Sequence, residues 1–349
     1  MSPAQIGTPG TPPDPAPAGA PPGAPPLGLG VLGCASIARR RMLPAVVSDP
    51  SVRLAAVASR RGARAEAVTR QFGGVPVEGY RRLLAREDVD AVYIPLPAAL
   101  HAEWIEAALR AGKHVLAEKP LAVDASTAAR LVALARASHL LLVENYMFTH
   151  HSQHRCVRAL LKQGVIGELR AFTAAFAIPA LPPDDIRNRP ELGGGALLDV
   201  AGYPIRAAEL FLGDGVDVAA SVLRFGSAGG VDSGGAVLLR TAEGVTGQLT
   251  FGIDHAYRSC YELWGSTGRL TLDRAFTPPP GHRPLVRVER ADGVREHVLA
   301  PDDQFARVIS AFARAVRTGA DELCESGVHR VADIVPHARL VDAVREAAR

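Results

Sequence analysis

The sequence predicts an α/β chain: a doubly wound parallel sheet first, then an α+β region built on a large, mostly antiparallel, open-faced sheet. Three observations predict it. Between Leu27 and Val143, short apolar runs alternate with helix-length segments, the pattern of a parallel sheet covered on both faces. After Lys162 the texture changes to successive strand-like runs joined by short polar turns such as Ala242-Glu243-Gly244. One apolar run, Val115-Leu116-Ala117, ends on Glu118-Lys119-Pro120. It delivers two opposite charges to the carboxyl edge of the sheet, where open α/β folds bind ligands.

Leu27–Leu32 reads as the first buried strand and Ser36–Val47 as the helix after it, with Ile37, Met42 and Leu43 on its apolar stripe. A G-x-G-x-x-G pattern falls on Gly28, Gly30 and Gly33, but it lies inside the strand, whereas a phosphate turn must follow the strand and open the helix. The correctly placed turn is Gly33-Cys34-Ala35-Ser36-Ile37-Ala38. There Gly33 makes the tight turn, Ala35 is small enough for close backbone approach, and the helix amino end offers amide donors to a pyrophosphate. The second strand, Val52–Ala58, ends on Ser59-Arg60-Arg61 rather than on the acid that holds an adenine ribose. A serine and two arginines suit a 2′-phosphate, so NADP(H) is the expected dinucleotide. Two solvated arginines at a helix start are the other reading.

Helices are expected at Ala63–Phe72, Tyr80–Arg86, Ala98–Ala111 and Ala125–Ser138, the last capped by Asp124. Strands are expected at Val89–Leu96, Lys113–Glu118 and Leu140–Val143. Arg155–Lys162 continues as a helix. Strands then follow at Arg170–Ile178, Val216–Phe225, Gly234–Arg240, Val245–Ile253, Tyr257–Trp264 and Arg269–Asp273, with a hairpin from Leu285 to Leu299. One helix, Leu198–Phe211, follows Gly193-Gly194-Gly195, and Asp303–Thr318 and Val328–Ala348 close the chain. The expected domains are a disordered Pro/Ala/Gly-rich tail over 1–26, a dinucleotide domain over 27–147 and a substrate and oligomerisation domain over 148–349.

Composition excludes several classes. With 349 residues, 48% of them apolar, the chain has material for two cores. Its net charge of +3 is interspersed, which argues against a nucleic-acid partner. No apolar run of about 18 residues is present, so no membrane span is expected. Cys34, Cys156, Cys260 and Cys324 are widely spaced and fit a reducing cytoplasm better than a disulfide framework or zinc knuckle.

The chemical candidates are few. The three lysines are Lys113, Lys119 and Lys162 in an arginine-rich chain, so a lysine at the sheet edge suggests a compact point charge, although a surface ion pair would look the same. Asp199 and Tyr203 are four apart and share a face if helical; a capping aspartate and an anchoring tyrosine are the plainer reading. His150 and His154 have helical metal spacing, but nothing completes the set, so no metal is expected and pocket lining or helix capping stands instead. Tyr257 either meets a nucleotide diphosphate or packs in the core.

Four motifs occur in order: Gly30–Ala38, Val89–Pro97 (Val-Asp-Ala-Val-Tyr-Ile-Pro-Leu-Pro), Ala117–Pro120 (Ala-Glu-Lys-Pro) and Gly193–Tyr203 (Gly-Gly-Gly-Ala-Leu-Leu-Asp-Val-Ala-Gly-Tyr). Together they resemble the glucose-fructose oxidoreductase/inositol dehydrogenase (Gfo/Idh/MocA) family, with its Rossmann domain. Many members have histidine where this chain has Tyr203. That departure, Cys34-Ala35 and the run Asn145–His151 resemble a narrower group, the sugar-nucleotide 3-ketoreductases of deoxysugar biosynthesis.

The resemblance implies NADPH-dependent reduction of a ketone on a dTDP-linked sugar, with Lys119 and Tyr203 as the catalytic pair. It implies that Leu96, His101, Glu118 and Lys119 join Gly33–Ile37 and Ser59–Arg61 around the cofactor. Asp199 and Tyr257 would meet the substrate, and a homo-oligomer, dimer or tetramer, is expected. In this reading Tyr203 donates the proton, Lys119 lowers its pKa, and Glu118 holds Lys119 or the nicotinamide ribose. A free-sugar or diol dehydrogenase and a non-catalytic dinucleotide-binding regulator are the alternatives.

Overall fold

The computed structural model describes residues 25–213, 215–226, 230–319 and 331–348. The expected tail lies almost wholly outside the described residues, as do Cys324 and the first residues of the last expected helix.

Six parallel strands form the first sheet: β1 (Leu27–Leu32), β2 (Val52–Ser59), β3 (Val75–Glu78), β4 (Ala91–Ile94), β5 (His114–Glu118) and β6 (Leu142–Asn145). Their order is β3-β2-β1-β4-β5-β6, so the chain reverses direction across the sheet beside β1. Every residue of β1, β4 and β6 is buried, as expected of a sheet covered on both faces. The intervening helices are α1 (Leu43–Ser48), entered through a widened turn at Ala38–Met42, then α2 (Gly62–Phe72), α3 (Tyr80–Leu84), α4 (His101–Arg110) and α5 (Ala125–Ala137). Asp124 caps α5 by accepting from the Thr127 amide at 2.8 Å.

Gly28 and Gly30 have packing roles. A Cβ on Gly28 would lie 2.2 Å from the Asp88 carbonyl oxygen, and one on Gly30 would lie 2.6 Å from Leu83 Cδ2. The in-strand glycine pattern is therefore a packing feature of β1.

The second sheet has eight strands: β7 (Leu169–Ala177), β8 (Asp217–Phe225), β9 (Asp232–Arg240), β10 (Thr246–Gly252), β11 (Arg258–Gly265), β12 (Gly268–Asp273), β13 (Leu285–Arg290) and β14 (Gly293–Val298). Their order is β14-β13-β12-β11-β7-β10-β9-β8, antiparallel except for the β7–β10 pair. Helix α6 (Ser152–Lys162) leads into it, and α7 (Gly202–Leu212) lies between β7 and β8 in sequence. The inner face of the sheet buries Phe172, Phe176, Leu249, Phe251, Tyr261 and Leu263. Those side chains join the first sheet in one continuous apolar cluster.

The last two helices tie the sheets together. Helix α8 (Gln304–Thr318) returns to α1, where Arg317 donates to the Ser51 carbonyl at 2.7 Å. Helix α9 (Ile334–Ala347) packs between α5 and β8.

Three differences from the expected elements have simple causes. β3 went unpredicted because it is a short edge strand with a proline and mostly exposed residues. β6 starts two residues later than expected, in register with β5 through Leu116↔Val143 and Glu118↔Asn145. The expected helix Leu198–Phe211 begins with a widened turn, Leu197–Ala201, before α7.

Candidate active site

Lys119 leaves the carboxyl end of β5 with its side chain only 11% exposed. Its ammonium donates to Asp199 twice, to Oδ1 at 2.8 Å and to the main-chain oxygen at 2.6 Å. Asp199 sits in the widened turn that opens α7. Its other carboxylate oxygen accepts from Arg187 Nε at 2.6 Å. One carboxylate thus bridges two cations. Burial pushes Asp199 upward, but Lys119 and Arg187 outweigh it and hold the carboxyl below its ordinary range.

One helical turn beyond Asp199, Tyr203 is 5% exposed. Its ring packs against Phe176 (4.7 Å between centroids), Tyr146 (5.7 Å), Phe148 (5.8 Å) and Phe276 (5.9 Å). Lys119 Nζ stands 5.3 Å from the centroid of that ring, within cation–π range. The hydroxyl faces the Met147 sulfur at 3.8 Å. Burial drives the phenol well above its ordinary pKa, Glu118 and Asp199 add to this, and Arg187 opposes it. This corrects the expectation that Lys119 lowers the phenol: the ammonium faces the ring and spends its hydrogen bonds on Asp199.

Glu118 is also placed differently from the expectation that it holds Lys119. Its Oε1 accepts from Tyr93 at 2.6 Å and Asn145 at 2.8 Å, all three groups being buried. Burial raises its pKa against those two hydrogen bonds. His101 is buried as well. Its Nδ1 lies 2.7 Å from the Pro120 carbonyl oxygen and its Nε2 lies 2.7 Å from that of Leu96. Burial pushes the imidazole down.

At the other end of this strut, Leu96 packs on the β1–α1 turn. Gly33 has φ +115°, and a Cβ there would lie 2.9 Å from Leu96 Cδ2, so only glycine fits both the backbone and the space. Ala35 and Ile37 are partly exposed and Ser36 is exposed beside it. Ser59 is buried at the end of β2 and accepts from the Arg61 amide at 3.3 Å, while Arg60 and Arg61 are exposed. Burial raises the Cys34 thiol, and Arg64 and Arg39 pull it the other way. A close-approach turn with a serine and exposed arginines one strand away fits a dinucleotide carrying a 2′-phosphate.

Tyr257 is 41% exposed, which corrects its core-packing reading. Its hydroxyl meets Thr277 Oγ1 at 2.9 Å, and Arg274 stands 5.2 Å from its ring centroid. His150, His151 and His154 are all buried. His151 Nδ1 caps α6 by accepting from the Gln153 amide at 3.2 Å. His154 meets the Tyr261 hydroxyl and the Ala275 carbonyl oxygen, each at 3.0 Å. Among the described residues no cluster of three His, Cys, Asp or Glu has metal-binding geometry, and no helix is long and apolar enough to cross a membrane.

Arg187 escaped the sequence reading. It lies in the long link 178–196, which carries no periodicity, and the visible signal was its place in Arg187-Asn188-Arg189 shortly before the glycine run.

Comparison with known proteins identifies the family. The model of an oxidoreductase family with an NAD-binding Rossmann fold matches residues 27–146, and that of the GFO/IDH/MocA C-terminal domain matches residues 154–271. The chain is 55% identical over 321 residues to a dTDP-3,4-didehydro-2,6-dideoxy-alpha-D-glucose 3-reductase of Actinomadura kijaniata, covering 92% of this chain and 95% of that protein. It is 53% identical over 328 residues to the Streptomyces violaceoruber protein of the same name, with 92% and 95% covered. Its fold matches the crystal structure of KijD10, a 3-ketoreductase from Actinomadura kijaniata in complex with NADP and TDP-benzene, with a TM-score of 0.89 and 55% identity over 93% of this chain and 98% of that one. By its motifs, its two sheets and these matches, the chain belongs to the GFO/IDH/MocA family of oxidoreductases.

Proposed function

We propose that this chain uses NADPH to reduce the C-3 ketone of a dTDP-linked keto-6-deoxyhexose, with Tyr203 as proton donor and Lys119 as its electrostatic partner. The observation that carries the reading is the meeting of the Lys119 ammonium, from the first sheet, with the Tyr203 ring, from α7, at the carboxyl edge that also holds the Gly33 turn. The names of relatives at 50–55% identity support the choice of substrate. Variants of KijD10 at one lysine and one tyrosine, crystallised with NADP and TDP-benzene, draw attention to the same residue types.

When bound, NADPH supplies the hydride that reduces the carbonyl carbon. Gly33–Ile37 would cradle its pyrophosphate, and Ser59, Arg60 and Arg61 its 2′-phosphate. Leu96, His101 and Glu118 would line the nicotinamide end of the cofactor. The Lys119 ammonium stabilises the negative charge that gathers on the ketone oxygen. A phenol raised by burial keeps its proton at neutral pH, and an alkoxide is basic enough to take it. Asp199, shared by two cations, holds Lys119 in place and would meet a sugar hydroxyl. Tyr257, exposed beside Thr277 and Arg274, would meet the nucleotide.

The same reading makes the protein a homo-oligomer, dimer or tetramer. The outer face of the second sheet presents Val222 (68% exposed), Leu238 (41%) and Trp264 (60%), a bare apolar surface of the kind that takes a partner. Free Cys34, Cys156 and Cys260 suit a reducing cytoplasm.

The test is to mix protein, NADPH and dTDP-3,4-didehydro-2,6-dideoxy-α-D-glucose and follow the absorbance of the reduced nicotinamide. Consumption of one equivalent per sugar supports the proposal. Turnover only of D-xylose with NADP+, the reaction named for a 35% identical Haloferax volcanii relative, replaces it with a free-sugar dehydrogenase. NADPH binding without turnover of either leaves a regulator.

A further inference from the structure

We infer that Arg187 is a positioning residue: by sharing the Asp199 carboxylate with Lys119, it fixes that ammonium against Tyr203. The inference deepens the proposed reductase reading and rests on it for its kinetic consequence.

The arrangement is built from both sides. Asp199 gives Oδ1 to Lys119 at 2.8 Å and Oδ2 to Arg187 Nε at 2.6 Å, so neither oxygen is available for a second carboxylate rotamer. Arg187 is itself held. Its amide donates to Asp185 Oδ1 at 2.9 Å, and its Nη1 reaches the same oxygen at 3.3 Å. Its carbonyl oxygen accepts from the Gly195 amide at 2.9 Å. A Cβ on Gly194 would lie 2.4 Å from that carbonyl oxygen, so the glycine run is what lets the Arg187 loop lie flat on the start of α7.

The charge count points the same way. Two cations share one half-buried carboxylate, with Asp185 neutralising part of Arg187 at the outer edge. Without Arg187, Asp199 would belong to Lys119 alone, and the ammonium would turn toward a fully available partner and away from the ring. Around Asp199 the charged and titratable groups are Lys119 from the end of β5, Arg187 and Asp185 from the link, and Tyr203 on its own helix, with Glu118 behind Tyr203. Removing Arg187 takes away one of the two cations that hold the Asp199 carboxyl low, so its pKa rises.

The experiment compares wild type, Arg187→Met and Arg187→Lys in two ways. In the first, kcat, KM and the pH profile are measured with NADPH and the dTDP ketosugar. Arg187→Met is expected to lose about 10–100-fold in kcat, with its acid limb moved up by about one pH unit and KM changed little. Arg187→Lys keeps a cation, and its acid limb stays near wild type.

The second measurement needs no substrate. Melting temperature is followed from neutral pH down to about pH 3, a range that spans ordinary carboxyl titration. A carboxyl depressed in the fold stabilises above its unfolded pKa, so Arg187→Met starts below wild type at neutral pH. The gap narrows on acidification, because the raised Asp199 takes up its proton within the fold. A merely structural loss keeps the gap constant.

A constant gap with an unmoved acid limb overturns the inference. So does an intact kcat with a tenfold higher KM or weaker dTDP binding, which would make Arg187 a ligand contact. Failure of wild type to reduce the sugar sinks the functional reading alone, since the melting series still decides the role of Arg187.

Discussion

The Lys119 ammonium stands 5.3 Å from the centre of the Tyr203 ring while both of its hydrogen bonds go to Asp199. The ammonium therefore lies over the phenol ring, and Asp199, which takes both of its hydrogen bonds, holds it there. Burial drives the phenol well above its ordinary pKa, which suits the proton donor proposed for the reaction. In the proposed reaction the ammonium would stabilise the charge that develops on the substrate oxygen.

Removing either partner should strike chemistry more than binding. Tyr203→Phe keeps the ring among Phe176 and Phe276 and deletes only the proton donor. Lys119→Ala deletes the cation and leaves Asp199 to Arg187. Each is expected to lower kcat by about 10²–10³-fold, with NADPH affinity, read by nicotinamide fluorescence, changed by less than about threefold. Near-normal turnover in both variants would remove the pair from the mechanism.

The cofactor preference rests on different residues and is tested separately. Arg60→Ala should raise KM for NADPH by about 10–100-fold, the worth of one charge-assisted contact to phosphate, and leave kcat/KM for NADH nearly unchanged. Equal losses with both cofactors would place Arg60 away from the 2′-phosphate.

Much of this was legible in the sequence because the first sheet announces itself by alternation. Buried strands such as Leu27–Leu32 and helices such as Ala125–Ala137 have different periods, and Asp124 marks a helix start. Lys119 could be singled out because a charge at the end of a buried run has nowhere to go but the sheet edge. Partners across the chain were not legible. Glu118 pairs with Tyr93 and Asn145, and Arg187 with Asp199, through packing that no local pattern encodes. The sign of the Tyr203 shift was also hidden, since it depends on burial by four aromatic rings drawn from distant segments.

His101 links the two halves of the site. It bridges the Leu96 carbonyl, whose side chain packs on Gly33, to the Pro120 carbonyl next to Lys119. A neutral imidazole donates only once, so the two 2.7 Å approaches to carbonyl oxygens compete for a single proton. His101→Phe keeps an aromatic ring and leaves both carbonyls without a donor from it. The variant should lose about 1–3 kcal/mol of stability and bind NADPH several-fold more weakly. Unchanged melting temperature and unchanged NADPH affinity would show that the strut carries no load.

Acid should weaken the fold through the buried histidines. His150 and His151 are pushed down to about 4 and His154 to about 3, in each case chiefly by burial. In the unfolded chain a histidine titrates near about 6.5. Between that value and the folded one, the unfolded state binds the proton and the native state does not. The stability from each group is therefore fully present above the unfolded pKa and is lost as pH falls toward the folded value. At full titration His150 and His151 are each worth about 3 kcal/mol and His154 about 5 kcal/mol, before any relaxation of the fold. Glu118 and Asp232, both raised by burial, work the other way at the acid end. Melting temperature should fall steadily from about pH 6.5 to about pH 5. His154→Gln, which can still meet the Ala275 carbonyl oxygen, should start lower and show a shallower decline. A flat wild-type profile over that range would mean that these rings take up protons within the fold, and the burial argument would fail with it.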